Sequence, residues 1–253
     1  NGATLWEFAL PKILSAYHQD HLTGVAGTGS NLCLGDRQLY IHTGDKCLVL
    51  DPQTGRQTAQ WSPPPRADGQ PGTWGYIACN DSLLFGTLVN AEHLVKESWR
   101  SFLGKLDMTR LYTESDTLFA LDAATGKLAW RFDAEHSIRH NAIALGSGRV
   151  YLIDRPLAEG DTAARRTGTK QTDVPAGRLL CLDSRTGKIL WETRDNIFGT
   201  LLVLSEKHGV VLMTYQPTSF RLDSEVGGRM AAFQASDGRR LWSIAAKYKS
   251  RPV

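Results

Sequence analysis

Ala120-Leu-Asp-Ala-Ala-Thr-Gly-Lys-Leu-Ala-Trp-Arg-Phe132 is the stretch whose reading decides the fold. A β-rich run enters it, an Asp-x-x-Thr-Gly turn interrupts it, and a second β-rich run leaves it. The Asp122 carboxylate is placed to accept from backbone N–H groups two residues on, and Gly126 supplies the positive φ that a tight hairpin needs. After the turn, Leu128, Trp130 and Phe132 alternate with Ala129 and Arg131. That is a period of two, with one apolar face carrying the tryptophan.

The same pattern returns along the chain. Val49-Leu-Asp-Pro-Gln-Thr-Gly-Arg56, Cys181-Leu-Asp-Ser-Arg-Thr-Gly-Lys188 and Ala232-Phe-Gln-Ala-Ser-Asp-Gly-Arg239 align with it. Their glycines, Gly55, Gly187 and Gly238, join Gly126 at intervals of roughly 50 to 70 residues. A tryptophan stands four residues after three of these glycines, as Trp130, Trp191 and Trp242. The first repeat departs, since Trp61 lies six residues after Gly55. Gln234 replaces the turn carboxylate of the fourth repeat, which predicts a weaker turn there. Leu5-Trp-Glu-Phe8 reads as half a repeat, the outer strand of a preceding unit.

Two further strands precede each turn unit, so each repeat is predicted to be four antiparallel strands. A four-stranded sheet repeated in tandem cannot bury both faces alone, and radial stacking of such sheets solves this as a β-propeller. The expected fold is therefore all-β: a propeller with complete four-stranded blades at residues 31–61, 73–132, 141–193 and 200–244. Partial strands are expected at 4–8 and 245–253, within one propeller segment spanning 1–253. A chain that starts on Asn1 and stops mid-repeat is expected to be part of a seven- or eight-bladed ring.

Composition excludes several classes. The 253 residues are 42% hydrophobic and 22% charged, an ordinary globular balance that argues against disorder. No apolar run approaches the roughly 18 residues that a membrane helix needs. A net charge of +3 is too small to argue for nucleic acid. Cys33, Cys47, Cys79 and Cys181 sit singly in apolar runs and read as buried free thiols, with no spacing that suits zinc.

Propeller topology sorts the connections. The Thr-Gly turns mark one rim. Long insertions at 90–116, 156–177 and 216–228 share the opposite rim with the inter-blade loops at 9–30, 62–72, 133–140 and 194–199. Insertions on one face of a repeat protein point to its binding side. In the first insertion Leu94, Trp99 and Phe102 recur at helical spacing and are candidate partner-binding residues. His18, Asp20 and His21 form one polar cluster on this rim, and His136, Arg139 and His140 form another. With Trp74 they are candidate ligand-binding residues, since His, Asp and Arg near a channel mouth suit an anion, a sugar or a metal, although the spacings are not a metal-ligand signature. No catalytic or metal-ligating set stands out.

Ala120-x-Asp122-x-x-x-Gly126-Lys127-x-x-Trp130 resembles the tryptophan-docking motif of the PQQ-like, quinoprotein-like propellers. Cys181 to Trp191 matches at all but its first position. The resemblance implies that Asp122, Gly126, Trp130, Asp183, Gly187, Trp191, Gly238 and Trp242 are structural staples between blades. It also implies an exported or periplasmic setting. The family includes pyrroloquinoline-quinone (PQQ) alcohol dehydrogenases, which use Ca²⁺, and a non-enzymatic assembly lipoprotein of the outer membrane. The dehydrogenases seat PQQ against a disulfide between adjacent cysteines, a pair this sequence lacks. The expected function is a non-catalytic binding or scaffold module with no cofactor. Its partner would be another protein or the remaining blades, with self-association through open blade edges. The alternative is a quinoprotein oxidoreductase, or the propeller of a larger enzyme.

Overall fold

The computed structural model describes residues 2–9, 31–90, 114–156, 177–214 and 228–246. Within them are fifteen strands in three antiparallel sheets. The first holds β1 (Leu32–Leu34), β2 (Leu39–His42), β3 (Cys47–Leu50) and β4 (Gln57–Trp61) in sequence order. The second runs from β5 (Trp74–Asn80) through β6 (Leu83–Val89), β7 (Glu114–Asp122), β8 (Leu128–Gly146), β9 (Arg149–Asp154) and β10 (Arg178–Asp183) to β11 (Ile189–Thr193). The third holds β12 (Leu201–Ser205), β13 (Val210–Thr214), β14 (Arg229–Gln234) and β15 (Arg240–Ala245). Among the described residues there is no helix, and the three sheets do not close on one another.

The seven-stranded sheet corrects one sequence expectation. The inter-blade loop at 133–140 is strand. β8 is 19 residues long; its first part pairs with β7 (Ala120 opposite Trp130) and its last part with β9 (Leu145 opposite Val150). Two four-stranded meanders thus share one strand, with register shifts between Ser115 and Thr117 on β7 and between Ile138 and Ile143 on β8 where it changes partner. Glu114 to Asp116, read as insertion, belong to β7. Residues 4–8 do not form a strand, although Trp6 and Phe8 dock as described below.

Period-two alternation sends each strand's side chains into two different cores. Tyr40, Cys47 and Val49 pack against Trp74, Ile77, Leu84, Leu88 and Phe119. Phe85, Leu118, Ala120 and Trp130 pack against Val150, Leu152, Leu180 and Leu182. The alternate residues Tyr151, Ile153, Leu179 and Cys181 face Leu202, Val211, Met213 and Phe233. Each large apolar side chain buried in this way contributes about 1.5–3 kcal/mol.

The turn tryptophans lock consecutive meanders together. A Cβ added at Gly187 would lie 2.6 Å from the Trp130 ring, so only glycine admits the indole, and its φ of +68° suits the same residue. Gly55 meets Trp6, Gly126 meets Trp61, and Gly238 meets Trp191 in the same way. The carbonyl just after the turn Asp or Gln accepts the lock's hydrogen bond. Trp6 Nε1 donates to Pro52 O at 2.9 Å, Trp130 Nε1 to Ser184 O at 2.8 Å, and Trp191 Nε1 to Ala235 O at 3.1 Å. At Ala123 O the donor is the Tyr40 hydroxyl, at 2.8 Å. There the tryptophan sits two residues later in register: Val49 opposes Ala59, and Trp61 opposes Cys47. A shift of two keeps it on the same face, so Trp61 still reaches Gly126.

The turns themselves follow the sequence reading. Asp122 Oδ1 accepts from Ala124 N, Thr125 N and the Thr125 hydroxyl, and Asp183 repeats the set with Arg185 and Thr186. In the fourth turn Asp237 accepts from Arg239 N instead, and Gln234 reaches Gly209 O. The Thr125 and Thr186 hydroxyls, with the turn N–H groups, hold the Asp122 and Asp183 carboxyls below their ordinary range. Backbone N–H of Gln53 and the Thr54 hydroxyl do the same for Asp51. A depressed folded-state pKa contributes stability that is present above the unfolded value near pH 4 and is lost as pH falls through the folded one. Thermal melts between pH 5 and pH 2 are therefore expected to show a falling midpoint. Asp122→Asn with Asp183→Asn should flatten part of that slope; an unchanged slope would remove the turns from the account.

Candidate functional site

Buried polar residues gather where the insertions join the sheets. Glu114 and Ser115 open β7, Ser137, Arg139 and His140 lie in the middle of β8, Asp154 ends β9, and Arg178 opens β10. All are at least nine-tenths buried. The Arg139 guanidinium pairs with Glu114 at 3.1 Å, and the Ser137 hydroxyl donates to the other Glu114 oxygen at 2.9 Å.

Asp154 is the second anchor. Its carboxylate accepts from the backbone N–H groups of Glu135 (2.7 Å), His136 (2.9 Å) and Ser137 (3.1 Å), and from Arg178 at 2.9 and 3.0 Å. Arg178 continues outward to Glu135 and Glu192, and Arg194 joins those same two carboxylates at the surface. The Arg194 contact holds the Glu135 carboxyl below its ordinary range. Arg155, also buried, donates to Phe198 O and ties the end of β9 to the segment before β12.

A neutral chain runs beside these ion pairs. Ser115 Oγ donates to Thr87 Oγ1 at 2.8 Å and lies 2.7 Å from His140 Nε2, while Tyr76 N donates to Thr87 Oγ1 at 2.8 Å. Gly75 makes this possible, because a Cβ there would lie 2.6 Å from His140 Nε2 and 2.8 Å from Ser115 Oγ. Ser115 is wholly buried and engaged on both sides. It is a strut rather than a presented nucleophile.

The sequence candidates fall in different places. His18, Asp20, His21, Leu94, Trp99 and Phe102 lie outside the described residues. His140 packs on Gly75, the residue after Trp74, whereas Arg139 pairs with Glu114, and all three side chains are interior. Trp74 is 1% exposed, edge-on to Phe119 at 4.9 Å and stacked at 6.4 Å on His42, whose imidazole pKa burial pushes down to about 4. His136 alone of the second cluster is exposed, with its backbone held by Asp154. Glu114, Asp154 and Arg178 were missed. For two of them the signal is a charged residue abutting an apolar strand run, as Asp154 follows Val150–Ile153 and Arg178 precedes Leu179–Leu182; Glu114 has no such signal.

The four cysteines are free, and burial pushes the thiols up, Cys47 to about 12, Cys79 and Cys181 to about 11. Protonated thiols of this kind are poor nucleophiles and poor metal ligands. Among the described residues, no group of three or more His, Cys, Asp or Glu side chains is arranged to hold a metal ion. Among the described residues no helix is long and apolar enough to cross a membrane.

The family model for the outer membrane protein assembly factor BamB matches residues 93–251. The chain belongs to this PQQ-like repeat family. No curated protein matches it in sequence. Among solved structures it is similar to the quinohemoprotein alcohol dehydrogenase ADHIIG of Pseudomonas putida HK5. The identity there is 12% and the TM-score 0.53, over 92% of this chain and 38% of that one. The quinohemoprotein alcohol dehydrogenase of Comamonas testosteroni gives 13% and 0.53, over 89% and 37%. BamB of Moraxella catarrhalis gives 15% and 0.49, over 88% and 51%. The chain thus spans about half or less of the length of these proteins. At such identities the likeness to the dehydrogenases is one of fold, and it agrees with the PQQ-like repeat and its propeller-type sheets.

The described residues at Trp74 and the buried carboxylates do not fit PQQ with its Ca²⁺. The aromatic face of Trp74 is occupied by Phe119 and by the chain at Gly86. The buried carboxylates Glu114 and Asp154 are already engaged by arginines.

Proposed function

We propose that this chain is a non-catalytic β-propeller binding or scaffold module that presents its insertion rim to a protein partner. The observation carrying this reading is the match of residues 93–251 to the BamB family model, whose name is that of an assembly factor. Residues 31–61, 73–132, 141–193 and 200–244 are its blades, in a periplasmic or exported setting, without a cofactor and without nucleic acid. The polar seam of Glu114, Arg139, Asp154 and Arg178 then serves as a rigid footing for the insertions. Partner contact is assigned to Leu94, Trp99 and Phe102. Small polar ligand binding is assigned to His136 together with His18, Asp20 and His21, since Arg139, His140 and Trp74 are interior.

The test is a pull-down with the immobilised chain, repeated with Trp99→Ala and Phe102→Ala combined. A specific protein retained by the wild type and lost by the variant, with circular dichroism unchanged, is the expected result. Equal retention by both would move the interface off this rim. Supplying PQQ and Ca²⁺ should give no alcohol oxidation with an artificial electron acceptor; cofactor-dependent turnover would sink the non-catalytic reading.

A further inference from the structure

Two joints between sheets are built on the same plan and filled differently. Gly35-Asp-Arg-Gln-Leu-Tyr40 leads into the first joint, and Gly146-Ser-Gly-Arg-Val-Tyr151 into the joint with the third sheet. In the latter, Tyr151 and Trp191 pack at 6.0 Å and both donate to Ala235 O. The Arg149 guanidinium adds a third hydrogen bond to that carbonyl, at 2.8 Å. Leu204 and Glu206 press on the place of a Cβ at Gly146, and the Ser147 hydroxyl donates to Glu206 at 2.6 Å.

Each of these groups has a counterpart in the first joint. Tyr40 and Trp61 repeat the ring pair at 5.7 Å, and Ala123 O takes the part of Ala235 O. Trp61 stands two residues later in register, and the donor described at Ala123 O is the Tyr40 hydroxyl. Gln38 stands where Arg149 stands. Cys79 replaces Leu204, since a Cβ at Gly35 would lie 2.8 Å from its Sγ. Asp36 and Asp81 replace Ser147 and Glu206, so two like charges stand where a hydroxyl met a carboxylate.

These exchanges leave a cavity of about 270 Å³, lined by Asp36, Gln38, Tyr40, Cys79, Asp81 and Ala123, among others. Arg37 is the one cation in its lining, against Asp36, Asp81 and Asp122, and Asp122 is held by its own turn. Burial pushes the Cys79 thiol up to about 11 with help from Asp36 and Asp81, so both carboxylates bear on the cavity.

We propose that this cavity binds an alkylguanidinium group, in the place that the Arg149 guanidinium takes in the sister joint. The cation donates to Ala123 O, a carbonyl with a further lone pair to offer, and pairs with Asp36 and Asp81. A planar fork reaches a carbonyl and carboxylates at once, which a point-like ammonium does not. A free small molecule and an arginine side chain of a partner protein share this chemistry. The cavity is built from the β1–β2, β5–β6 and β7–β8 turns, so the inference does not depend on the reading of the insertion rim.

The experiment is an NMR titration of the full chain with ethylguanidinium, against sodium chloride at matched ionic strength, followed on the amides of Asp81, Ser82 and Ala124. Saturable shifts are expected. Asp36→Asn with Asp81→Asn should weaken binding about tenfold. Gln38→Arg supplies the chain's own guanidinium to Ala123 O and should abolish it. N-acetylarginine amide separates the sources: tighter binding than ethylguanidinium assigns the site to an arginine side chain, and equal or weaker binding to a free molecule. No saturable shift with either probe would overturn the proposal, as would binding unchanged in a folded Gln38→Arg variant. Should Gln38→Arg impair folding, the two Asp→Asn changes carry the test, and binding indifferent to them overturns it.

Discussion

Trp130→Ala is expected to cost about 3–5 kcal/mol of unfolding free energy, the range for deleting a buried aromatic side chain. Trp130 is 7% exposed. It packs with Phe85, fills the space over Gly187, and gives its N–H to Ser184 O. Alanine leaves a cavity between β7 and β10 and strands that carbonyl, and neither defect is repaired by a small shift, because Gly187 is fixed in a closed turn. Urea denaturation followed by intrinsic fluorescence and circular dichroism measures the loss. Trp242→Ala on the same register position should cost less than about 1.5 kcal/mol at concentrations where the chain is monomeric, since much of that ring is already in water. Equal losses at the two positions would mean that the lock contributes nothing beyond the tryptophan's own sheet.

The second large effect is expected at Arg139. Arg139→Met leaves the almost wholly buried Glu114 side chain without its arginine, held only by the Ser137 hydroxyl among the contacts described above. Breaking a buried pair from one side typically costs about 3–5 kcal/mol, whereas removing both charges is far milder. The double variant Glu114→Gln with Arg139→Met should therefore recover most of the loss. The cycle is read from denaturation midpoints of the four proteins. A double variant as unstable as Arg139→Met alone would show that Arg139 acts through its volume and not its charge.

Local chemistry made much of the repeat readable. Asp-x-x-Thr-Gly states its own hydrogen bonds, and the structure makes them at Asp122 and Asp183 as the side chains dictate. The strand alternation places Trp130 and Trp191 on the docking face by period alone. Trp61 broke the spacing but obeyed the period, and the missing donor was supplied by Tyr40 from a strand the turn motif does not include.

What resisted reading depends on contacts distant in the chain. Residues 133–140 are polar and read as a loop. They are strand because Asp154, about twenty residues on, collects three of their N–H groups and Arg178 secures Asp154 in turn. For the same reason Arg139 and His140 read as rim residues and turned out to be interior. Burial of a charge follows from its partner, and Glu114 comes to oppose Arg139 only once β7 and β8 pair.

The shared strand β8 has a further consequence for how the molecule opens. In a tandem-repeat protein neighbouring units are coupled mainly through side-chain interfaces, and one unit can fray while the next stays closed. Here the two central meanders are coupled through the main chain as well. Releasing either one breaks ladder hydrogen bonds of a strand that the other still needs. The central pair therefore behaves as one cooperative unit, whose amides exchange with solvent together and more slowly than those of the sheets on either side. Fluctuations large enough to expose a face are thereby channelled to the first and third sheets.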